Sequence, residues 1–108
     1  MTTGNGETGE FVGTGSSNRP FTVGWQPKFI IMMDDWPGST GWEEVLFKTD
    51  TMPDFEIMGA YDKDDAEVVE VEYLSINEDR GIRFDSEGFT IGDWVNYNDE
   101  DWYWMAWR

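Results

Sequence analysis

Hydrophobic positions along this chain come in short runs separated by glycine, proline and acidic turns, and no run keeps a 3.6-residue period. The last seven residues, Trp102–Arg108, are apolar at nearly every position. In a strand, Tyr103, Met105 and Trp107 point to one side and Trp102, Trp104 and Ala106 to the other. A strand that is wet on one face alternates between apolar and polar residues. This one does not, so it is expected centrally in a sheet, with packing on both faces. Lys28–Asp34 (KFIIMMD) is a second unbroken apolar run of strand length, β-branched at Ile30 and Ile31, and is expected to be buried. Ala66–Ile76 alternates instead, setting Val69, Val71 and Tyr73 against Glu70 and Glu72, and predicts a half-solvated strand.

Further strands are predicted at Arg19–Val23, Phe55–Tyr61, Ile82–Phe84 and Phe89–Ile91, with a short edge strand near Glu10–Val12. Trp42–Lys48 fits one helical turn or a strand, and its flanks Gly41 and Thr49 lean it towards strand. Turn signals fall between these runs at Gly24 with Gln26-Pro27, at Pro37-Gly38, at Asp62–Asp65 and at Ser86–Gly88. Short strands at such spacing predict a single all-β domain, an antiparallel β-sandwich of jelly-roll-like form spanning residues 19–108. Residues 1–18, rich in Gly, Ser and Thr, are expected to be a separate N-terminal segment carrying the edge strand. Phe21-Thr22-Val23-Gly24 and Phe89-Thr90-Ile91-Gly92 echo each other, which two strands ending in glycine turns explain without a repeat.

Charge changes the picture next. The chain carries 23 acidic against 7 basic residues, a net charge of −16. Binding of DNA or RNA through a basic surface is excluded, because phosphate neutralisation needs Lys and Arg. So large a charge repels itself in dilute buffer, whereas at around 1 M salt the Debye length of about 3 Å removes most of that repulsion. Two readings stand side by side: an acidic domain for ordinary salt, or one adapted to a halophilic setting. The chain has no cysteine and no histidine, so it has no disulfide framework, no thiolate metal site and no imidazole base. No run approaches the roughly twenty apolar residues of a membrane helix, and no signal-peptide core stands at the start. The chain is expected to be soluble and complete, without membrane insertion. Seven Trp, seven Phe and four Tyr supply a large apolar payload for 108 residues, which argues against an acidic disordered tail.

Carboxylates adjoin one another at Asp34-Asp35, Glu43-Glu44, Asp64-Asp65 and Asp99-Glu100-Asp101. A retaining glycosidase needs two of them about 5 Å apart across a cleft, one with a raised pKa. Among 23 acids such neighbours arise by chance, and these fall in turns where water solvates them. Oxygen-rich loops suit Ca²⁺ better: Asp62, Asp64 and Asp65 form one group, and Asp93, Asn96, Asn98, Asp99 and Asp101 another. Neither has EF-hand spacing, and turn-forming Asx residues account for both groups without a metal. The serines lack a histidine to activate them, so no nucleophilic triad is available. Trp25, Trp36, Trp42 and Trp94 follow or flank turn signals, where they would anchor a protein interface or stack on sugars. Trp102, Trp104 and Trp107 suit the core or a buried interface.

Two stretches carry a family resemblance. They are GTGSSNRPFTVGWQPKFIIM, from Gly13, and RGIRFDSEGFTIGDWVNYNDEDWYWMAWR, from Arg80. Gly15 to Arg19, Gly24-Trp25-Gln26-Pro27, Glu87 to Gly92, Val95-Asn96 and Tyr103 to Arg108 resemble a small β-rich domain of tailed-virus tail-fibre and virion structural proteins. Asp34 to Asn77 matches only loosely. The resemblance implies a non-enzymatic virion component on the capsid or tail surface: a capsid decoration or turret protein, or a tail-fibre unit engaged in host attachment. It also implies structural roles for Gly24, Pro27, Gly88, Gly92 and Asn96. The implied partners are copies of the chain itself (a trimer is the first expectation from symmetric assembly), other virion proteins, and a host surface glycan or protein. The rival class is a carbohydrate-binding module in which Trp36, Trp42 and Trp94 stack sugars; a hydrolase comes third.

Overall fold

Each apolar run becomes a strand because its alternating side chains find a facing layer to bury against. The computed structural model describes residues 6–35, 44–62, 69–74, 81–93, 95–97 and 99–108, with backbone alone for 35, 44, 60–62 and 69–74. Among them are nine strands and no helix. In chain order these are β1 (Gly6–Val12), β2 (Arg19–Thr22), β3 (Phe29–Asp35), β4 (Glu44–Thr49), β5 (Ile57–Asp62), β6 (Val69–Leu74), β7 (Ile82–Asp85), β8 (Gly88–Ile91) and β9 (Asp101–Trp107). Trp42–Lys48 thus resolves to strand over its described residues. The alternation expected for Ala66–Ile76 concerns side chains outside the described set.

The strands form two antiparallel sheets, six-stranded in the order β1-β9-β3-β4-β5-β6 and three-stranded in the order β2-β8-β7. The chain's outermost strands pair from the ends inward, β1 with β9 and β2 with β8, as in the first two pairs of a jelly roll, but β3 pairs with β4 and β9. Between them β3 to β6 run as a meander of adjacent strands. The echoed sequences are these paired strands: Phe21 lies opposite Phe89 in register, with ring centroids 5.0 Å apart and nearly parallel planes.

Side chains from both sheets fill the space between them, so the expected antiparallel sandwich is present. Ile30, Met32, Leu46, Ile57, Trp102, Trp104 and Ala106 face inward from the large sheet onto Ile82, Phe84, Phe89 and Ile91 of the small one. The aromatics meet edge to face where the sheets touch, with Trp104 and Phe89 centroids 5.0 Å apart at 77°. The N-terminal segment supplies the expected edge strand, which is longer than Glu10–Val12: β1 lies at the edge of the large sheet, pairs with β9 along its whole length, and sends Phe11 into the core. Strand β9 is central as expected, yet only one of its faces is covered: Trp102, Trp104 and Ala106 are buried while Tyr103 and Met105 are exposed.

Candidate functional site

The uncovered face is the most distinctive surface among the described residues. Strand alternation and register put Tyr103, Met105 and Trp107 of β9 beside Met33, Ile31 and Phe29 of β3, and these beside Val45, Phe47 and Thr49 of β4. Met58 of β5 follows, opposite Phe47. Five of the six large hydrophobic side chains exposed among the described residues lie on this face: Val12, Met33, Met58, Tyr103 and Met105. Met33, Tyr103 and Met105 are 51, 47 and 45 % exposed, far above the core residues one position away. A shallow groove of about 490 Å³ runs over them, floored by Ile31, Met33, Tyr103 and Met105, with Thr8 and Glu10 on its β1 side. Phe29 and Trp107 close one end of the platform, their centroids 5.2 Å apart. The centre therefore offers thioethers and rings, soft surface suited to another protein, and few groups to orient a sugar hydroxyl.

Opposite ends of the platform differ in charge. Strand β9 begins at Asp101, opposite Asp35 in register, just after Asp99 and Glu100, and Glu10 stands two pairs further along, opposite Tyr103. The other end carries the exposed cations Lys28 and Arg108 together with Glu7 and Asp50. At the acidic end, burial pushes the Glu100 carboxyl above its ordinary value, opposed by the side chains of Asp34 and Trp102 beside it. Asp34 is itself buried, and its side chain lies within hydrogen-bonding reach of Glu100 at this end of the sheet.

Two polar networks tie loops to the strands beside the platform. Asn96, fully buried, donates through Nδ2 to Thr14 Oγ1 at 2.8 Å and to the Ser16 carbonyl at 2.9 Å. Its Oδ1 accepts from the Thr14 amide at 3.0 Å and from Arg19 Nη1 at 3.2 Å. Arg19 also donates to the Val12 carbonyl at 2.7 Å, with its guanidinium 5.2 and 5.1 Å from the Phe11 and Phe21 ring centroids. The β1–β2 loop is thereby latched to the β8–β9 loop, and Gly13 fits there because a Cβ would overlap the Tyr97 carbonyl. In the second network Lys48, buried on the inner side of β4, donates to the carbonyls of Pro53 at 2.6 Å and Glu56 at 2.9 Å. Desolvation lowers its pKa to about 8, against the raising pull of the Asp54 and Glu56 carboxylates.

The residues singled out from sequence fall as follows. Trp25 packs in the core under Arg108, whose guanidinium lies 5.7 Å from its ring centroid, so it is no exposed platform. Trp36, Trp42 and Trp94 lie outside the described residues. Gly24 has a φ of +88° and serves the expected turn, and Pro27 is fully buried after it. A Cβ at Gly88 would strike the Phe21 carbonyl of the paired strand, and Gly92 donates its amide to the Gly81 carbonyl at 2.8 Å. Asn96 is more than a turn residue, being the hub of the latch. Of the cation candidates, Asp64 and Asp65 lie outside the described residues, as does the side chain of Asp62. Asp99 is exposed in a left-handed turn with φ +68°, its amide bound to the Gly13 carbonyl, and Asp101 opens β9. Among the described residues no three acids converge on a common point, and the Asn96 oxygen is taken by Thr14 and Arg19. The platform itself was not singled out from sequence, though its signal was there in the two-sided apolar character of β3 and β9. No family model, curated protein or solved structure matches the chain.

Proposed function

We propose that this protein acts by binding, as a non-enzymatic structural component of a tailed-virus particle, in a capsid decoration, turret or tail-fibre role that extends to host attachment. The observation that carries the reading is the open apolar face of the six-stranded sheet, with Met33, Met58, Tyr103 and Met105 in one layer. A contiguous patch of this kind on a small domain marks a contact surface. The resemblance of both chain ends to virion β-domains supports the same reading, and the resembling residues Gly13, Arg19, Gly88 and Asn96 hold loops and strands together. The net charge of −16 suits a particle exposed to high salt.

The carbohydrate-binding alternative rests on Trp36, Trp42 and Trp94, which lie outside the described residues, whereas the methionine-rich open platform favours a protein contact. Mass spectrometry and immunogold labelling of purified particles from the source of this sequence test the proposal. Stoichiometric presence on capsid or tail is the expected result. Absence from particles, or turnover of a glycan by the purified chain, contradicts it.

A further inference from the structure

We infer that the open face of the large sheet is closed by the same face of a second copy, stacked so that each strand opposes its own counterpart running in the reverse direction. This deepens the binding reading above and rests on it. Area is the first ground. Six strands spaced about 4.8 Å apart and about 20 Å long make a face of roughly 500–600 Å². Two such faces bury about 1,000–1,200 Å², enough to reach the lower bound of a specific interface. Two sheets stack face to face at about 10 Å when their inner side chains interdigitate, and the row of Met33, Tyr103, Met105 and Met58 provides such a layer.

Charge decides the orientation. The acidic end holds Asp101, Asp99, Glu100 and Glu10, whereas at the other Lys28, Lys48 and Arg108 offset most of Glu7, Asp50, Asp54 and Glu56. Stacking with like ends together would superpose two acidic rims that hold no cation among these residues. Reversal lays each acidic rim over the charge-compensated end of its mate and leaves the two rims a strand length apart. The two-fold axis then runs across the strands, β9 lies on β9 and β3 on β3, and Met105 sits over Tyr103 of the second copy. Such a contact is self-complementary, as an isologous interface must be. The remaining repulsion between two chains of −16 makes the association salt-dependent.

The full chain has no cysteine, so single cysteines report the geometry cleanly. Sedimentation velocity across a concentration series in about 0.1 M and about 2 M KCl is expected to show a dimer whose Kd tightens by about tenfold or more with salt. Met105→Cys is expected to cross-link through a short bis-maleimide, and Asp101→Cys, about 20 Å from its mate in the reversed stack, is not. Met105→Glu is expected to give a monomer with unchanged circular dichroism and a melting temperature that no longer depends on protein concentration. A monomer under every condition, a trimer, or a dimer that survives Met105→Glu overturns the inference. Cross-linking of Asp101→Cys as readily as Met105→Cys overturns the reversed orientation. Particle labelling is independent of these results, so a monomeric chain that still labels particles would sink the dimer and leave the virion reading standing.

Discussion

Asn96→Ala isolates the latch that ties the two ends of the chain together. The wild-type side chain is fully buried and makes five polar contacts, to Thr14 Oγ1, the Thr14 amide, the Ser16 carbonyl, Ser16 Oγ and Arg19. Each hydrogen bond contributes about 1 kcal/mol net. Thr14 and Ser16 are exposed, so water replaces part of what is lost, whereas Arg19 keeps its bond to Val12. We therefore expect a loss of about 2–4 kcal/mol, a large share of the roughly 5–15 kcal/mol that holds a domain folded. For a chain of this size that lowers the melting temperature by roughly 10–20 °C. Urea unfolding followed by tryptophan fluorescence measures it, with the midpoint shifting and the slope unchanged if the latch is a native-state feature. Tyr97→Ala, at an exposed neighbouring position, serves as the control and should cost about 0.5 kcal/mol or less. A cost below about 1 kcal/mol for Asn96→Ala, or equal costs for the two variants, would refute the assignment of Asn96 as the hub.

Lys48→Met removes the donor shared by the Pro53 and Glu56 carbonyls and should cost about 2–4 kcal/mol in urea unfolding at neutral pH. Because the Lys48 pKa of about 8 lies below its ordinary 10.5, the unfolded chain binds more protons between those values. The wild type should accordingly gain stability relative to Lys48→Met as pH rises from about 8 to about 10.5, with a flat difference below about 8. A difference that falls over that window contradicts the burial of the charged form. The acidity makes a separate prediction: the melting temperature should climb from about 0.1 M to about 2–3 M KCl as screening relieves the repulsion of −16 charges. A melting temperature no higher in concentrated KCl rules out a stabilising role for screening.

Strand positions were legible because each depends on local alternation and on turn residues whose backbone demands are local. FIIMMD, RPFT, FTI and WYWMAW read as strands in isolation and are strands here. The length of β1 was not legible: Gly6, Glu7 and Gly9 have weak strand preference, and only the seven-residue pairing with β9 recruits them. Trp25 looked exposed because it follows a glycine turn, and the chain instead folds it under Arg108 into the core. Two-sided apolar character in β9 signalled packing on both faces, which is true within the chain for one face only. A pattern along one strand cannot say whether its second cover comes from the same chain. Lys48 and Asn96 were opaque for a related reason, since their partners are backbone groups and loop residues up to 82 positions away.

Methionine oxidation footprinting tests the central claim most directly, because the chain's methionines sample both sides of the large sheet. Met33, Met58 and Met105 lie on the open face and Met32 lies in the core. In the dilute isolated chain, peroxide should oxidise the first three quickly and Met32 slowly. In intact particles, mass spectrometry should find Met33, Met58 and Met105 protected to near the level of Met32. Equal oxidation of the three outer methionines in the free chain and in the particle would contradict the account, since the face would then carry no contact at all.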